Sequence, residues 1–348
     1  MTLPGVLAAA ILGALIAYAV TGGADFGGGV WDSFATGPRR AAQRALIGNA
    51  IAPIWEANHV WLIIVVVLLF TCFPPAFSDL FIALHVPLSL MLIGIVLRGS
   101  AFVFRAHGSR GGATEARWGR VFATASIVTP VLLGACIGAI ASGGVTRSLQ
   151  LLDRGESTAG HLLMQLAVRS WLTAFDLAVG LLTLAAFAWL AAVYLCVEAT
   201  DDALRDDFRA RALWTLGVLA ALMLVTPLLA LAQAGELFRA LMGQWWSIPY
   251  VSLAMLSALT AAWALWSRRF EVARLAAAAL VAFVLGGWAL AQYPYLVPGR
   301  WTIDDAAAPP VTLALVLGAV ALGSLVLLPS LLYLMRVFKG REPQRKAR

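Results

Sequence analysis

Nine stretches of this chain are each long and apolar enough to span a bilayer, and that constrains the fold more than any motif. A spanning helix needs roughly 20 consecutive apolar residues, because hydrocarbon offers the backbone no hydrogen-bond partner. The stretches run over 4–35, 46–72, 78–104, 119–142, 170–197, 210–233, 248–267, 273–292 and 311–336. Composition agrees, with 61% hydrophobic residues, 12% charged and a mean hydropathy of +0.86. No stretch carries the ten-residue alternation of a membrane β-barrel. The sequence therefore predicts an all-α integral membrane protein, a polytopic bundle forming one membrane domain over 1–348.

Charge placement predicts its orientation. Of the 25 basic residues, twenty fall after the first, third, fifth, seventh and ninth stretches, and five on the other side. Arg39, Arg44, Arg98, Arg105, Arg205, Arg268 and the C-terminal tail belong to the larger set. The positive-inside rule then puts the N-terminus outside and the C-terminus in the cytoplasm. The net charge of +7 is thus topological and gives no reason to expect nucleic-acid binding. The run Leu3–Val20 carries no charge and no basic residues precede it, so it reads as the first half of helix 1 rather than a cleavable signal. Cys72, Cys136 and Cys196 are too scattered for a disulfide framework or a metal site.

Against this apolar background a few polar residues stand out. Residues Pro53-Ile54-Trp55-Glu56-Ala57-Asn58-His59-Val60-Trp61 place an acid, an amide, an imidazole and two indoles in the second stretch. An ionisable group inside a membrane is expensive and survives mainly where it faces protein, water or a proton path. Helix 1 carries Asp25 within Thr21-Gly22-Gly23-Ala24-Asp25-Phe26-Gly27-Gly28-Gly29. Those glycines suit close helix packing or a local unwinding around Asp25. Counting inward from Arg39, Arg44 and Arg98 puts Asp25, Glu56 and His85 in one layer, about 18–21 Å from the basic loops. His59 follows Glu56 by one turn on the same face. Asp25, Glu56, His59 and His85 are therefore candidate members of a proton path, since buried carboxyl groups and imidazoles can titrate near neutral pH. The competing reading is a structural polar cluster that fixes helix register. His59 and His85 also form the one pair of intramembrane histidines that invites a haem. Asp176 falls near the outer end of its helix, where water would reach it. Trp171, Trp245, Trp246, Tyr250, Trp288, Tyr293, Tyr295 and Trp301 read as an outer aromatic belt.

These motifs resemble the second subunit of cytochrome bd-type quinol oxidases. The glycine-rich element with Gly23, Gly27 and Gly29 is one part of the likeness. The segment Asn49–Ile63, with Trp55, Glu56, Asn58 and Trp61, is the most specific part. Phe70–Pro74, Arg98 with Arg105, and Tyr293-Pro294 complete it, so the likeness covers essentially the whole chain. Many relatives have an acid where this chain has Gly22, and an aspartate is also common at position 56. The resemblance implies a heterodimer in a bacterial cytoplasmic membrane. A larger partner, subunit I, would carry the haems and the quinol site, and the pair would oxidise quinol and reduce dioxygen to water. It implies that this chain ligates no haem and no metal, that it supports assembly and proton or oxygen access, and that a structural quinone can sit in a lipid-facing cleft. Two rival readings of the intramembrane acids and histidines are a proton-coupled transporter and a self-sufficient haem electron-transfer protein.

Overall fold

The computed structural model describes residues 2–52, 55–107, 113–154 and 159–339. Pro53, Ile54, Arg110, Glu156 and the basic residues from Arg341 onward lie outside them. Nine helices among the described residues are long and apolar enough to cross a membrane. They are α1 (Leu3–Ser33), α3 (Trp55–Cys72), α5 (His85–His107), α6 (Ala113–Ala141), α9 (Ala174–Glu198), α10 (Asp202–Gln233), α12 (Ser247–Trp266), α13 (Phe270–Gln292) and α14 (Pro310–Lys339). Shorter helices α2 (Arg40–Ile51), α4 (Pro74–Ala83), α7 (Gly144–Arg154), α8 (Ala159–Met164) and α11 (Gly235–Gly243) join them. A π-helical turn (Gln165–Arg169) links α8 to α9, and a two-strand hairpin, β1 (Tyr295–Val297) and β2 (Trp301–Thr302), precedes α14. The strands are antiparallel, with Tyr295 opposite Thr302.

One predicted span is broken where the sequence reads as continuous. The stretch 78–104 divides at Leu84 between α4 and α5. Pro87 is the cause of this break: it has no N–H to give the Ala83 carbonyl one turn back. Ser170 Oγ donates to that carbonyl at 3.0 Å instead. His85, the residue expected to serve a carbonyl freed here, meets the Ile82 carbonyl at 2.9 Å. The stretch 46–72 holds the end of α2 and all of α3. The polar segment between the predicted spans 119–142 and 170–197 contains α7 and α8.

The core is built around α9, whose residues from Phe187 to Val193 are all buried. Helix α1 lies against it at glycine distance. A Cβ on Gly27 would stand 2.0 Å from the Phe187 carbonyl oxygen, and one on Gly23 would stand 2.5 Å from the Phe187 ring. Helix α1 runs unbroken through this element, so the glycines serve packing and do not unwind the helix. On its other flank α9 meets α6 through Gly180 and Gly134, each of which would drive a Cβ into the opposite backbone.

Polar side chains gather at two rims. At one, Arg39 makes a bidentate pair with Asp207, which also accepts from Gln43 at 2.8 Å. That pairing holds the Arg39 guanidinium above its ordinary pKa. Arg105 makes a second bidentate pair, with Asp32, at 2.8 and 3.0 Å. Between α12 and α13 the same rim carries a tight turn. Arg268 N–H donates to Leu265 and Arg269 N–H to Ala264, the pairing of a Schellman cap. Arg268 there has φ 57°, a left-handed backbone that glycine takes freely and that costs another residue about 1 kcal/mol. At the opposite rim Arg300 bonds both Asp79 and Asp153, and Trp301 Nε1 donates to Asp79 at 2.6 Å. These contacts pin the hairpin to α4 and α7. Arg300 is raised above its ordinary pKa by Asp153 first and then by Asp79.

Gly27→Ala is expected to push α1 off α9 and destabilise the fold by about 1–3 kcal/mol. Gly13→Ala, which meets open space, is the control. Thermal melting of the two purified variants checks this, and equal melting temperatures would refute the glycine seam.

Candidate functional site

The charged groups that the membrane should exclude converge on α1, α3 and α5. Asp25 on α1 is 4% exposed, Asn58 on α3 is 3% and Arg98 on α5 is 2%. Asn58 Nδ2 donates to Asp25 Oδ2 at 2.7 Å. Arg98 is close enough for its charge to act on both Asp25 and Tyr18. Its guanidinium lies 4.7 Å from the Phe26 ring centre and 5.4 Å from that of Phe122. Its Nε and Nη2 find no hydrogen-bond partner among the described residues, nor does His59 Nδ1. The His59 ring sits among Tyr18, Phe26 and Trp55, with centroids 5.9–6.3 Å away.

Local sequence explains the placement. Gly22 faces Tyr18 and Asn58: a Cβ there would stand 3.0 Å from the Tyr18 ring and 3.7 Å from Asn58 Cβ. Trp55 fills the notch that Gly99 leaves on α5 and lies tilted against Phe102, ring centres 6.2 Å apart. It therefore locks α3 to α5 one turn from Asn58. Trp61 packs against the α9-centred core.

One cavity opens on this layer. It has a volume of about 270 Å³ and lies between α1, α2, α9 and α13. Thr21, Asp25 and Gly28 form one wall, and Tyr194, Glu198 and Arg274 line the side that leads to the rim. Glu198 ends α9 and Arg274 lies in the first turns of α13. The cavity thus reaches from the buried carboxylate toward the rim that holds Arg39, Arg105 and Arg268.

The expected layer forms only in part. Asp25 is in it and His59 borders it. Glu56 is exposed and points away from Asp25, because two residues on a helix are about 200° apart and Asn58 takes the inward face. Glu56 begins an outward stripe with Ile63, Val67 and Phe70, all exposed. His85 is exposed at the first residue of α5. It lies 13 residues from Arg98, about 20 Å along the helix. It therefore does not join Asp25, and it does not face His59 across a haem. Arg98, counted above as a loop residue, is buried within α5. Asp176 is fully buried rather than near water: it forms a capping box with Thr173 and accepts from Ser142 Oγ at 3.2 Å. Trp171 is buried too, whereas Trp245 is 84% exposed and fits a belt. Sequence reasoning missed Tyr18 and Asp32. Asp32 had a signal, since it follows Asp25 by seven residues on the same face of α1. Among the described residues no three His, Cys, Asp or Glu side chains are grouped to hold a metal ion.

A buried carboxylate with an amide donor, a guanidinium beside it and a cavity toward the rim can hold a proton and exchange it with one end of the bundle. It offers no nucleophile and no metal cradle.

Along most of its length the chain resembles known proteins. The family model described as cytochrome bd terminal oxidase subunit II matches residues 3–338. The chain is 31% identical over 133 residues to cytochrome bd-I ubiquinol oxidase subunit 2 of Escherichia coli strain K12, covering 37% of this chain and 33% of that protein. It is 32% identical over 116 residues to cytochrome bd ubiquinol oxidase subunit 2 of Bacillus subtilis, 32% of each chain. The matched stretch thus spans about a third of the length of these relatives. In structure it resembles a chain of the bd oxidase from Geobacillus thermodenitrificans, with a TM-score of 0.71, 22% identity, and coverage of 98% of this chain and 100% of that one.

Arg98→Leu is expected to cost about 3–5 kcal/mol, because it leaves the Asp25 charge buried without its counter-charge. Asp25→Asn in the same chain should recover most of that loss. Denaturation of the single and double variants measures the coupling, and a double variant no more stable than Arg98→Leu would rule out the pairing.

Proposed function

Because this chain belongs to the cytochrome bd terminal oxidase subunit II family, we propose that it is the non-haem subunit of a quinol:dioxygen oxidoreductase in a bacterial cytoplasmic membrane. Its partner is a haem-bearing larger subunit that oxidises quinol and reduces dioxygen. This chain supports that partner and supplies a proton entry. The basic rim faces the cytoplasm, as the distribution of arginines favours.

The observation that carries the proton role is Asp25. It is the buried carboxylate that lines the cavity toward the basic rim; Asn58 holds it in place, with the Arg98 charge nearby. Protons enter past Glu198 and Arg274, reach Asp25 and leave toward the partner. Glu56 supports the partner role. An ionisable group on a lipid-facing surface is costly, so its position at the end of the exposed stripe Ile63, Val67 and Phe70 fits burial under a second subunit. The two histidines are poorly placed to share a haem, which agrees with haem residing in the partner.

In the purified complex, Asp25→Asn is expected to leave haem content unchanged and lower quinol-driven oxygen consumption by about tenfold or more, as loss of a proton-transfer group does. Glu56→Gln should also assemble with full haem content and turn over more slowly. Wild-type oxygen consumption by assembled Asp25→Asn across the pH range would end the proton-entry reading. Purification of the wild-type chain from its own membranes without any haem-bearing partner would end the oxidase reading.

A further inference from the structure

A second cavity, of about 320 Å³, opens at the basic rim between the C-terminal end of α9, the start of α10 and the α12–α13 turn. Cys196, Arg205, Arg268, Arg269, Phe270 and Glu271 are among its lining residues. It lies apart from Asp25, and nothing in the proposed oxidase role uses it.

Its three guanidiniums are in different states. Arg205 is committed to structure: it donates to the Cys196 and Ala199 carbonyls and to Asp202. Arg268 uses only Nη2, on Asp206, at 3.0 Å. Arg269 makes no side-chain hydrogen bond among the described residues and lies 4.9 Å from the centre of the Trp263 ring. The Glu271 carboxylate that shares the cavity is held by Arg274 at 2.8 Å. Donors of Arg268 and Arg269 therefore remain for a ligand, and a guanidinium fork matches phosphate oxygens.

The backbone supplies an independent observation. Arg268 occupies the left-handed position of the Schellman turn, which glycine would fill without strain. Strain kept in a turn points to a use for the side chain there.

The surroundings select the kind of phosphate. Trp263 and Trp266 are exposed beside the turn, at the level where indoles anchor to a bilayer surface. Val272 and Leu275 continue outward along α13 as exposed apolar side chains. A free phosphate has no use for that wall, whereas the acyl chains of a lipid do. We infer that this cavity binds the phosphate headgroup of an anionic phospholipid, with Arg268 and Arg269 as its donors and α13 as the track for its chains. Basic pockets between helices on the cytoplasmic side are suited to such headgroups.

The test uses the full chain with whatever it assembles with, purified from its membranes and reconstituted in phosphatidylcholine containing a minority of phosphatidylglycerol. The lipid that stays bound after detergent washing is counted by native mass spectrometry. Wild type should retain phosphatidylglycerol in excess of its share of the mixture. R268G/R269Q should lose that enrichment, and R268G alone should melt a few degrees higher because the turn is relieved. R117Q/R120Q, which removes two exposed arginines of the same rim, should keep the enrichment. Equal enrichment in wild type and R268G/R269Q would overturn the assignment, as would its loss in R117Q/R120Q. Displacement of the lipid by millimolar inorganic phosphate would show a plain anion site and overturn the lipid reading.

Discussion

Two opposite charges buried in one layer of an apolar bundle, Asp25 and Arg98, constrain much of this architecture. Even on insertion scales, a charged side chain at mid-membrane costs about 2.5–3.5 kcal/mol. Asp25 and Arg98 come from helices far apart in sequence and offset part of that cost through polar and aromatic neighbours, Asn58 for Asp25 and the Phe26 and Phe122 rings for Arg98. The Asn58–Asp25 bond fixes α1 against α3 at this level, and Arg98 of α5 reaches the same layer over the Phe26 ring. Removing Arg98 would leave the Asp25 charge its desolvation penalty without the nearby positive charge that offsets part of it. The Asp25–Asn58 bond is thus a constraint on helix register first. The use of Asp25 in chemistry depends on the cavity that reaches it from one side.

Much of this was legible in the sequence. Long apolar runs announce spanning helices because nothing else satisfies a backbone in hydrocarbon, and all nine appear. Asp25 was legible for the same reason, as an expense in need of an explanation. What failed was phase and depth. Glu56 and Asn58 differ by two residues, so one must face away from the other, and the sequence does not say which side α1 occupies. Depth failed because Arg98 was taken as the edge of the bundle. The edge is seven residues further, at Arg105, which pairs with Asp32, an offset of about 10 Å. That error alone carried His85 into a layer to which it does not belong. Asp176 failed differently: its capping of α9 through Thr173 is a local device that needs no water, and a helix end is where such a device is used.

The two rims divide the remaining charges unequally. Asp207 takes Arg39, Asp32 takes Arg105, and Asp206 takes Arg268, so the count of arginines at the basic rim overstates its free charge. The more exposed of these, Arg39–Asp207 and Arg268–Asp206, contribute little to stability, typically below about 1 kcal/mol. Their effect is geometric: each crosses between helices that are distant in sequence and holds the ends in register. Arg269, with an indole as its neighbour and no acid bonded to it, departs from that rule at the place where the turn is also strained.

The glycines of helix 1 and the acid among them answer the same requirement. Gly23 and Gly27 face α9, Gly28 faces Ile51 of α2, and Gly29 faces Ser126 of α6. Each would place a Cβ within 2.6 Å of its neighbour, so α1 is enclosed on several sides at once. A helix with ordinary side chains keeps its neighbours 8–10 Å away, axis to axis, and would leave gaps for lipid at the level of Asp25. By admitting the neighbours closely, the glycines give the carboxylate a protein surrounding in place of hydrocarbon. The run is therefore neither a hinge nor a separate motif. It is the packing condition under which a carboxylate can be kept in the middle of α1, and enlarging any of these four residues should loosen the seal around Asp25 before it touches the acid itself.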